Sequence, residues 1–381
     1  TRAQALNSKN PDIFISLGDV YMNQNVEELP LSKYNQAASL DPNNVKAQYR
    51  IGQYCLKYKK YQEGANAFTK AISIDPKFAP AYRDMGELYF LAKDYKKAKE
   101  SYKKYVELTA NDLQARARYC QFLYLSKDYT AAVEEITTAL KDTTTNVLLR
   151  LYGYSLYETA KYPEAKTAMD KYFARVKPEF IIARDNEYYG KILDKAGQKE
   201  QAITYYEKAI GMDAGMDSLY SKMADIYNFQ KNYTKAAEVL EKLLITKPTI
   251  QNYYSLGEMY SKLDSWDKAI TAYTKTTEIK ADFHMGFLKI ARCNFQLDPE
   301  TNEGKAQPAY QKYLEIVTAL PNKDNFKKEQ VEANGYLGYY YYNVKKDNAL
   351  AKTYYEKVKE LDPANEQATK MLEYFKKSGG K

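Results

Sequence analysis

The residues that most often carry enzyme chemistry are scarce in this sequence. It contains one histidine, His284, and three cysteines, Cys55, Cys120 and Cys293, which lie far apart. We find no Ser-His-Asp, Cys-His or zinc-histidine arrangement. There is also no glycine-rich phosphate loop and no nucleotide-binding fingerprint. The sequence therefore predicts that the chain is not an enzyme and holds no cofactor and no metal ion. The histidine and the cysteines are interpreted as ordinary helix-packing residues.

Other absences narrow the class of protein. An odd and sparse set of cysteines is not a disulfide framework. No run of eighteen apolar residues exists, so no membrane span is predicted, and no signal peptide opens the chain. The 16 glycines and 12 prolines among 381 residues indicate neither a fibre nor a disordered chain. Cytoplasmic, periplasmic and envelope-associated locations are all compatible with these observations.

Tyrosine and charged residues are plentiful. The chain has 40 tyrosines but a single tryptophan, and 57 Lys and Arg residues against 49 Asp and Glu, a net charge of +8. Spread over this length the charge is mild, and it does not by itself indicate nucleic acid binding. A single compact core rarely grows beyond roughly 250–300 residues. The length therefore predicts either two domains or an extended repeat.

A repeat of about 34 residues runs along the chain. Gly18, Gly52 and Gly86 are each 34 residues apart. Small residues continue this spacing at Cys120, Gly153, Gly190, Ala224, Gly257, Ala291 and Gly338. Alanines follow most of them twelve residues later, at Ala98, Ala132, Ala165, Ala202, Ala236 and Ala269, and large residues lie four further on, at Tyr34, Phe68, Tyr102, Tyr206, Leu240 and Tyr273.

The apolar residues within each repeat have helical rather than alternating spacing. Proline, which cannot continue a helix interior, marks the end of the second helix at Pro42, Pro76, Pro248 and Pro363. A small residue at a fixed place lets two helices approach closely, and a bulky residue fills the groove opposite. The sequence therefore predicts helical hairpins that complete their core by stacking on their neighbours.

The order of these residues, as in Leu17-Gly18, Tyr21, Tyr34, Ala37 and Pro42, resembles the tetratricopeptide repeat (TPR). The resemblance implies an all-α, right-handed superhelical solenoid of helix-turn-helix units. About ten units are predicted over residues 11–363, near 11–44, 45–78, 79–112, 113–145, 146–182, 183–216, 217–249, 250–283, 284–330 and 331–363. This sequence departs from the pattern at Pro30, where alanine is usual, and in a ninth unit lengthened by residues 298–304 and 321–324.

The two ends of the chain are predicted to differ. Residues 3–8 align with residues 37–42, so residues 1–10 are interpreted as the tail of a preceding repeat in a protein that continues upstream. Residues 364–381 are interpreted as a C-terminal capping helix with many polar residues, followed by a short tail.

In the TPR family, as the resemblance implies, the first helix of each pair lines the concave face. A basic residue recurs there in five consecutive units, with tyrosines between. The candidate partner-binding residues are Lys46, Tyr49, Arg50, Arg83, Arg118, Arg150, Tyr154, Tyr157, Arg184, Tyr188 and Lys191. Because guanidinium groups suit carboxylates and tyrosines offer rigid contact area, this face is a candidate groove for an acidic or extended peptide. The alternative is a solvated helix face, neutralised in part by Glu87, Glu187 and Asp194.

These observations favour a non-catalytic protein–protein interaction scaffold. Two alternatives stay open: an arm of a larger enzyme or envelope machine whose active domain lies upstream, and an RNA-binding helical repeat. The lysine, asparagine and arginine set with which some TPR domains clamp the tail of heat-shock chaperones is not reproduced in any three consecutive units. Tyr336 and Tyr339–Tyr342 crowd a single predicted helix. They are interpreted as core residues, with an aromatic contact patch as the alternative.

Overall fold

Residues 9–109 and 112–378 are described by a computed structural model of the chain. Over these residues the regular structure consists of 21 α-helices and three short 3₁₀ helices, without a β-strand. The predicted capping helix is described from Glu366 to Ser378. Of the predicted repeat tail, residues 1–10, residues 1–8 lie outside the described residues. The chain divides into two compact units, residues 1–202 and residues 203–381.

The first unit contains eleven helices and the start of a twelfth. They are α1 (Pro11–Asn23), α2 (Leu29–Leu40), α3 (Val45–Lys57), α4 (Tyr61–Ile74), α5 (Ala79–Leu91), α6 (Tyr95–Leu108), α7 (Leu113–Leu125), α8 (Tyr129–Asp142), α9 (Asn146–Glu158), α10 (Tyr162–Arg175), α11 (Ala183–Lys195) and α12 (Lys199–Met212), which contains the boundary. A short 3₁₀ helix, Pro178–Phe180, precedes α11.

The second unit continues with nine helices. They are α13 (Leu219–Phe229), α14 (Tyr233–Thr246), α15 (Ile250–Lys262), α16 (Trp266–Ile279), α17 (His284–Leu297), α18 (Gln307–Thr318), α19 (Lys327–Asn343), α20 (Asn348–Leu361) and α21 (Glu366–Ser378). Short 3₁₀ helices cover Ala214–Met216 and Lys323–Phe326. Among the described residues of both units, no helix combines the length and the apolar character needed to cross a membrane.

Local sequence signals explain where the helices begin and end. Asn44 caps α3 by accepting a hydrogen bond from the backbone of Ala47, and Asp128 caps α8 in the same way. The turn inside most hairpins contains one residue with positive φ, such as Lys93 at 63° or Gly197 at 78°. The backbone N–H of Asp94 then reaches back to the carbonyl of Tyr89, 2.9 Å away. This closure of the first helix reverses the chain into the second helix.

The recurring small residues lie where the two helices of a hairpin touch. A Cβ atom added at Gly18 would lie 2.3 Å from the ring of Tyr34, and one added at Gly52 would lie 2.4 Å from the ring of Phe68. Tyr34 and Phe68 are both almost completely buried. The predicted pairing of a small residue with a bulky one sixteen positions later is therefore confirmed at these sites.

Successive helices pack on one another along each unit, which is the arrangement of an all-α helical-repeat solenoid. In the first unit, the first helices of neighbouring hairpins also touch: α1 with α3, α3 with α5, α7 with α9, and α9 with α11. The first helices of these hairpins therefore form one layer of the unit, in which side chains of neighbouring hairpins are in contact. Cys55, Cys120 and Cys293 are free and buried in the helical packing, as the sequence predicted.

The insertion after α17 is organised by one carboxylate. Asp298 is buried, and its side chain accepts hydrogen bonds from the backbone N–H groups of Asn302, Glu303 and Gly304 at 2.8–3.0 Å. Gly304 has a φ of +70°, and the ring of Tyr340 packs where its side chain would be. The predicted loop is therefore an ordered turn that joins α17 to α18.

Candidate interaction surface on the first helices

Three of the five predicted arginines are paired with carboxylates, two of them with carboxylates of a neighbouring hairpin. The Nε atom of Arg50 lies 3.0 Å from Asp19, and that of Arg150 lies 2.8 Å from Asp185. The third, Arg83, lies 2.6 Å from the adjacent Asp84. These guanidinium groups are already paired, so they are not available to a partner as the sequence suggested.

Asp185 is the centre of the densest of these networks. Its side chain is fully buried and accepts hydrogen bonds from Arg150, from the hydroxyls of Tyr154 and Tyr172, and from the backbone N–H of Ile182. A buried carboxylate is tolerated when it is paired and its lone pairs are satisfied. The network joins α9, α10 and α11, so Arg150 and Tyr154 are structural residues of the first unit.

A similar network joins α3 to α5. The hydroxyl of Tyr49 donates to Asp84 over 2.7 Å, and the amide of Gln53 donates to the same oxygen over 2.9 Å. Arg83 donates to the Tyr49 hydroxyl at 3.1 Å. Burial and the hydrogen bond to Asp84 raise the pKa of Tyr49, so its phenol stays protonated.

The predicted tyrosines form a cluster among themselves. The rings of Tyr154 and Tyr188 are stacked, with centroids 4.0 Å apart and an angle of 18°. Tyr124 donates to the hydroxyl of Tyr188 over 3.0 Å, and Tyr188 donates to Glu158 over 2.6 Å. Side chains from α7 and α11 therefore meet across α9.

Burial decides which tyrosines could face a partner. Tyr49, Tyr154 and Tyr188 are 7%, 2% and 7% exposed, whereas Tyr157 is half-buried. The structure therefore places the first three in the core between hairpins, which corrects the expectation that they present contact area. The physical reason is that a tyrosine hydroxyl can be buried when a carboxylate of a neighbouring hairpin accepts its hydrogen bond.

Three predicted cations remain exposed. Lys46, Arg118 and Arg184 lie at the surface of α3, α7 and α11, and no carboxylate of the described residues pairs with them. Lys191 is different, since it pairs with Glu187 at 2.6 Å and lies over the ring of Tyr188. The basic character of this face therefore depends on Lys46, Arg118 and Arg184.

Arg184 acts electrostatically on the tyrosine cluster. Burial raises the pKa of Tyr124, and the hydrogen bond with Tyr188 and the positive charge of Arg184 both oppose that rise. The positive charge of Arg184 on α11 therefore favours the ionised form of this phenol on α7. The positive charge of Arg118, on α7, also lowers the pKa of the half-buried Tyr102, against the rise that burial causes.

Sequence reasoning missed the carboxylates that neutralise this face. Asp84 and Asp185 directly follow Arg83 and Arg184, which belong to the predicted basic row. That adjacency is a usable signal, because neighbouring helix residues differ by about 100°, so the second can face the preceding hairpin while the first stays closer to the surface.

In the described part of the chain, no group of three or more His, Cys, Asp or Glu side chains is arranged to hold a metal ion.

In the second unit, the tyrosine-rich helix α19 divides its rings between core and surface. Tyr336 and Tyr340 are buried, while Tyr339, Tyr341 and Tyr342 are half-buried. The interpretation of part of this cluster as core is confirmed. His284, the first residue of α17, packs against the rings of Phe326 and Tyr313.

Three family models match parts of the chain. Residues 56–119 and residues 336–365 match models described as tetratricopeptide repeat. Residues 195–276 match a model described as anaphase-promoting complex, cyclosome, subunit 3. A search of curated proteins finds no match.

Solved structures provide a further comparison. The C-terminal part of a TPR repeat-containing protein from Cytophaga hutchinsonii is 31% identical, with 67% of this chain and 99% of that chain covered and a TM-score of 0.55. Pseudomonas aeruginosa pilF is 16% identical over 54% of this chain and 92% of its own, with a TM-score of 0.43. The structure of Naa15/Naa10 bound to HypK-THB contains a chain that is 16% identical. The match covers 97% of this chain and 61% of that chain, with a TM-score of 0.46.

The Cytophaga structure is matched over nearly its whole length at 31% identity, and the helices pair and pack in the order that the repeats require. This chain therefore belongs to the tetratricopeptide-repeat family, whose repeats in general serve as protein–protein interaction scaffolds.

Proposed function

We propose that the first unit is a non-catalytic scaffold that binds an extended, acidic segment of a protein partner across α7, α9 and α11. The observation that carries this proposal is the exposure of Arg118 and Arg184, which have no carboxylate partner among the described residues. The other predicted cations of α9 and α11, Arg150 and Lys191, are already paired with carboxylates. A partner with carboxylates would supply the missing counter-ions of Arg118 and Arg184.

The tyrosine cluster supports the proposal because it holds the three helices in a fixed arrangement. Tyr124 and Tyr188 are hydrogen-bonded across α9, and Tyr188 is stacked on Tyr154. A site that is already ordered loses little conformational freedom when its partner binds. Guanidinium groups offer planar forks of donors that match carboxylates, so Arg118 and Arg184 would select acidic residues.

Two carboxylates on this face limit how much negative charge it can accept. Glu158 accepts a hydrogen bond from Tyr188, and Glu187 is paired with Lys191. Among the predicted cations of α7, α9 and α11, only Arg118 and Arg184 are therefore left without a carboxylate of the described residues. A segment with a few spaced carboxylates fits this charge distribution better than a uniformly charged polyanion.

The test is a charge-reversed double variant, Arg118→Glu with Arg184→Glu. A fluorescein-labelled decapeptide of alternating glutamate and alanine is the probe, and fluorescence anisotropy measures its dissociation constant. If the two contacts contribute about 1 kcal/mol each, their loss together with the new repulsion weakens binding by at least about tenfold. The peptide with glutamine in place of glutamate should bind weakly to both proteins.

The matched control is Lys141→Glu with Lys171→Glu, which makes the same change in net charge on the second helices α8 and α10. Both lysines are exposed, so the control tests non-specific attraction. Equal losses in the two double variants would contradict the proposal. An RNA decamer that binds more tightly than the peptide and is lost in the same variant would favour the RNA-binding alternative instead.

A further inference from the structure

The second unit contains a cavity of about 660 Å³ between α17, α18, α19, α20 and the start of α21. This volume lies within the range of sites that hold small molecules or peptide side chains. Its lining combines aromatic rings, two valines and a few polar groups. The cavity is distinct from the arginine face of the first unit.

Gly335 opens one wall of this cavity. It lies within the 17-residue helix α19, where glycine is less favourable than alanine by roughly 0.5–1 kcal/mol. Three residues later, Gly338 makes room for the ring of Tyr355, since an added Cβ would lie 3.0 Å from it. A Cβ added at Gly335 would meet nothing within 4 Å. No side chain of the protein therefore fills the space next to Gly335, and this space is part of the cavity.

Aromatic rings form the apolar part of the lining. Phe295 and Tyr336 meet edge to face, with centroids 6.1 Å apart and an angle of 87°, and Tyr310 lies 5.0 Å from Tyr336. Phe295 is 36% exposed although it is apolar. Burial of that ring against an apolar group of a partner would be favourable, at roughly 25 cal/mol for each Å² covered.

The charged groups of the lining neutralise each other. Arg292 binds both oxygens of Glu332, at 2.9 and 2.6 Å, and Tyr310 donates to Glu332 at 2.7 Å. Burial opposes ionisation of Glu332, but the hydrogen bonds from Arg292 and Tyr310 prevail and its pKa is lowered. The pair therefore remains ionised with no net charge, so the cavity selects neither a free carboxylate nor a cation.

The amide of Gln296 and the hydroxyl of Tyr339 both belong to the lining and have no hydrogen-bond partner among the described residues. An amide both donates and accepts, and so does a tyrosine hydroxyl. A peptide backbone presents the complementary N–H and C=O groups. The lining thus combines an uncharged aromatic pocket with polar groups suited to peptide amides.

We propose that this cavity binds an uncharged segment of a partner polypeptide through one large apolar side chain, aromatic or leucine. The side chain packs between Phe295 and Tyr336 over Gly335, and the flanking peptide groups bond to Gln296 and Tyr339. This site differs in chemistry from the acidic-peptide site of the first unit and does not depend on it.

The test uses acetylated and amidated pentapeptides of sequence Ser-Asn-X-Asn-Ser, where X is Phe, Leu, Lys or Glu. Binding to the full chain is measured by ligand-observed NMR and by titration calorimetry. We expect the Phe and Leu peptides to bind at least about tenfold more tightly than the Lys and Glu peptides. In Gly335→Leu, the new side chain occupies the cavity, and binding of the Phe peptide falls by at least about tenfold.

The control is Gly211→Leu, which also places leucine in a helix at a glycine with nothing within 4 Å of an added Cβ. It should bind the Phe peptide as the wild type does, and both variants should keep the wild-type melting temperature or exceed it, because leucine favours the helix. The proposal is overturned if Gly335→Leu binds normally, if the Lys or Glu peptide binds best, or if no peptide binds at millimolar concentration. The double variant Arg118→Glu with Arg184→Glu should leave this binding unchanged.

Discussion

Arg150 and Asp185 lie 35 positions apart in the chain, in consecutive hairpins, and form an ion pair in which Nε is 2.8 Å from the carboxylate. The Asp185 side chain is inaccessible to solvent, while that of Arg150 is 23% exposed. Such a pair resists separation because either partner alone would be a buried, uncompensated charge. The contact therefore fixes how α9 packs on α11.

Removal of Asp185 should strongly destabilise the first unit. Asp185→Ala leaves Arg150 without its counter-ion and leaves the hydroxyls of Tyr154 and Tyr172 without their acceptor. Breaking a buried pair in this way typically costs about 3–5 kcal/mol. Urea unfolding, followed by far-ultraviolet circular dichroism, should show the loss as a lower midpoint.

The control is Asp142→Ala, since Asp142 pairs with Arg116 at 3.3 Å but its side chain is 74% exposed. Exposed pairs contribute about 0–1 kcal/mol. If the two variants unfold at the same urea concentration, the buried network does not stabilise the unit as we describe.

Two glycine substitutions should change stability in opposite directions. Gly52→Ala places a Cβ atom 2.4 Å from the fully buried ring of Phe68, and overpacking of this kind costs about 1–3 kcal/mol. Gly211→Ala meets no atom and only restricts the unfolded chain, so a gain of about 0.4–1 kcal/mol is expected. Thermal unfolding of the pair against the wild type measures both effects. A stabilised Gly52→Ala protein would mean that the two helices are not in the contact described.

The cysteines should be inert in the folded protein. Burial raises the pKa of all three thiols, and that of Cys120 to about 12. Because the thiolate is the reactive form, Ellman's reagent at pH 8 should modify none of the three within minutes under native conditions and all three in guanidinium. Rapid native modification of Cys120 would show that α7 opens much more readily than its packing implies.

Acid should weaken the packing around His284. Burial, and then the charge of Lys280, lower its pKa below the usual 6.5, with Asp282 acting in the opposite direction. The unfolded chain therefore binds a proton more readily than the folded protein. The stability that neutral His284 contributes is fully present above pH 6.5 and is lost as the pH falls toward the folded pKa.

The measurement is the melting temperature of the wild type and of His284→Gln at pH 7.5 and pH 5.5. The wild type should lose more stability than the variant over this interval, because glutamine does not titrate. Equal losses would show that His284 is not shielded from solvent as the contacts with Phe326 and Tyr313 indicate.

The repeat and its packing positions were within reach of the sequence alone. Helical periodicity, the recurring glycines and the prolines after the second helices are local signals, because each depends on residues of a single hairpin. The pairing of Gly18 with Tyr34 was predicted from this spacing and is confirmed. The same signals also predicted buried, inert cysteines and the absence of strands in the described part of the chain.

Which charges stay free was decided by tertiary structure. Arg150 and Arg184 look alike in sequence, yet Arg150 reaches a buried carboxylate of the next hairpin while Arg184 remains exposed. The direction in which a helix side chain points, and the partner that it meets about one repeat away, depend on how two hairpins pack. The position of these two arginines within the repeat therefore does not predict which of them is paired.

Tertiary structure also decided the different roles of two glycines of α19, Gly335 and Gly338. The spacing of the repeat predicted Gly338 as a packing site, and Tyr355 fills the space above it. Gly335 lies outside that spacing and faces empty space instead. The sequence by itself determined that helices pair through small residues, because that pairing is local. Only the packing of α17, α18, α19 and α20 with α21 decided where a space remains unfilled, because the walls of that space come from five separate helices.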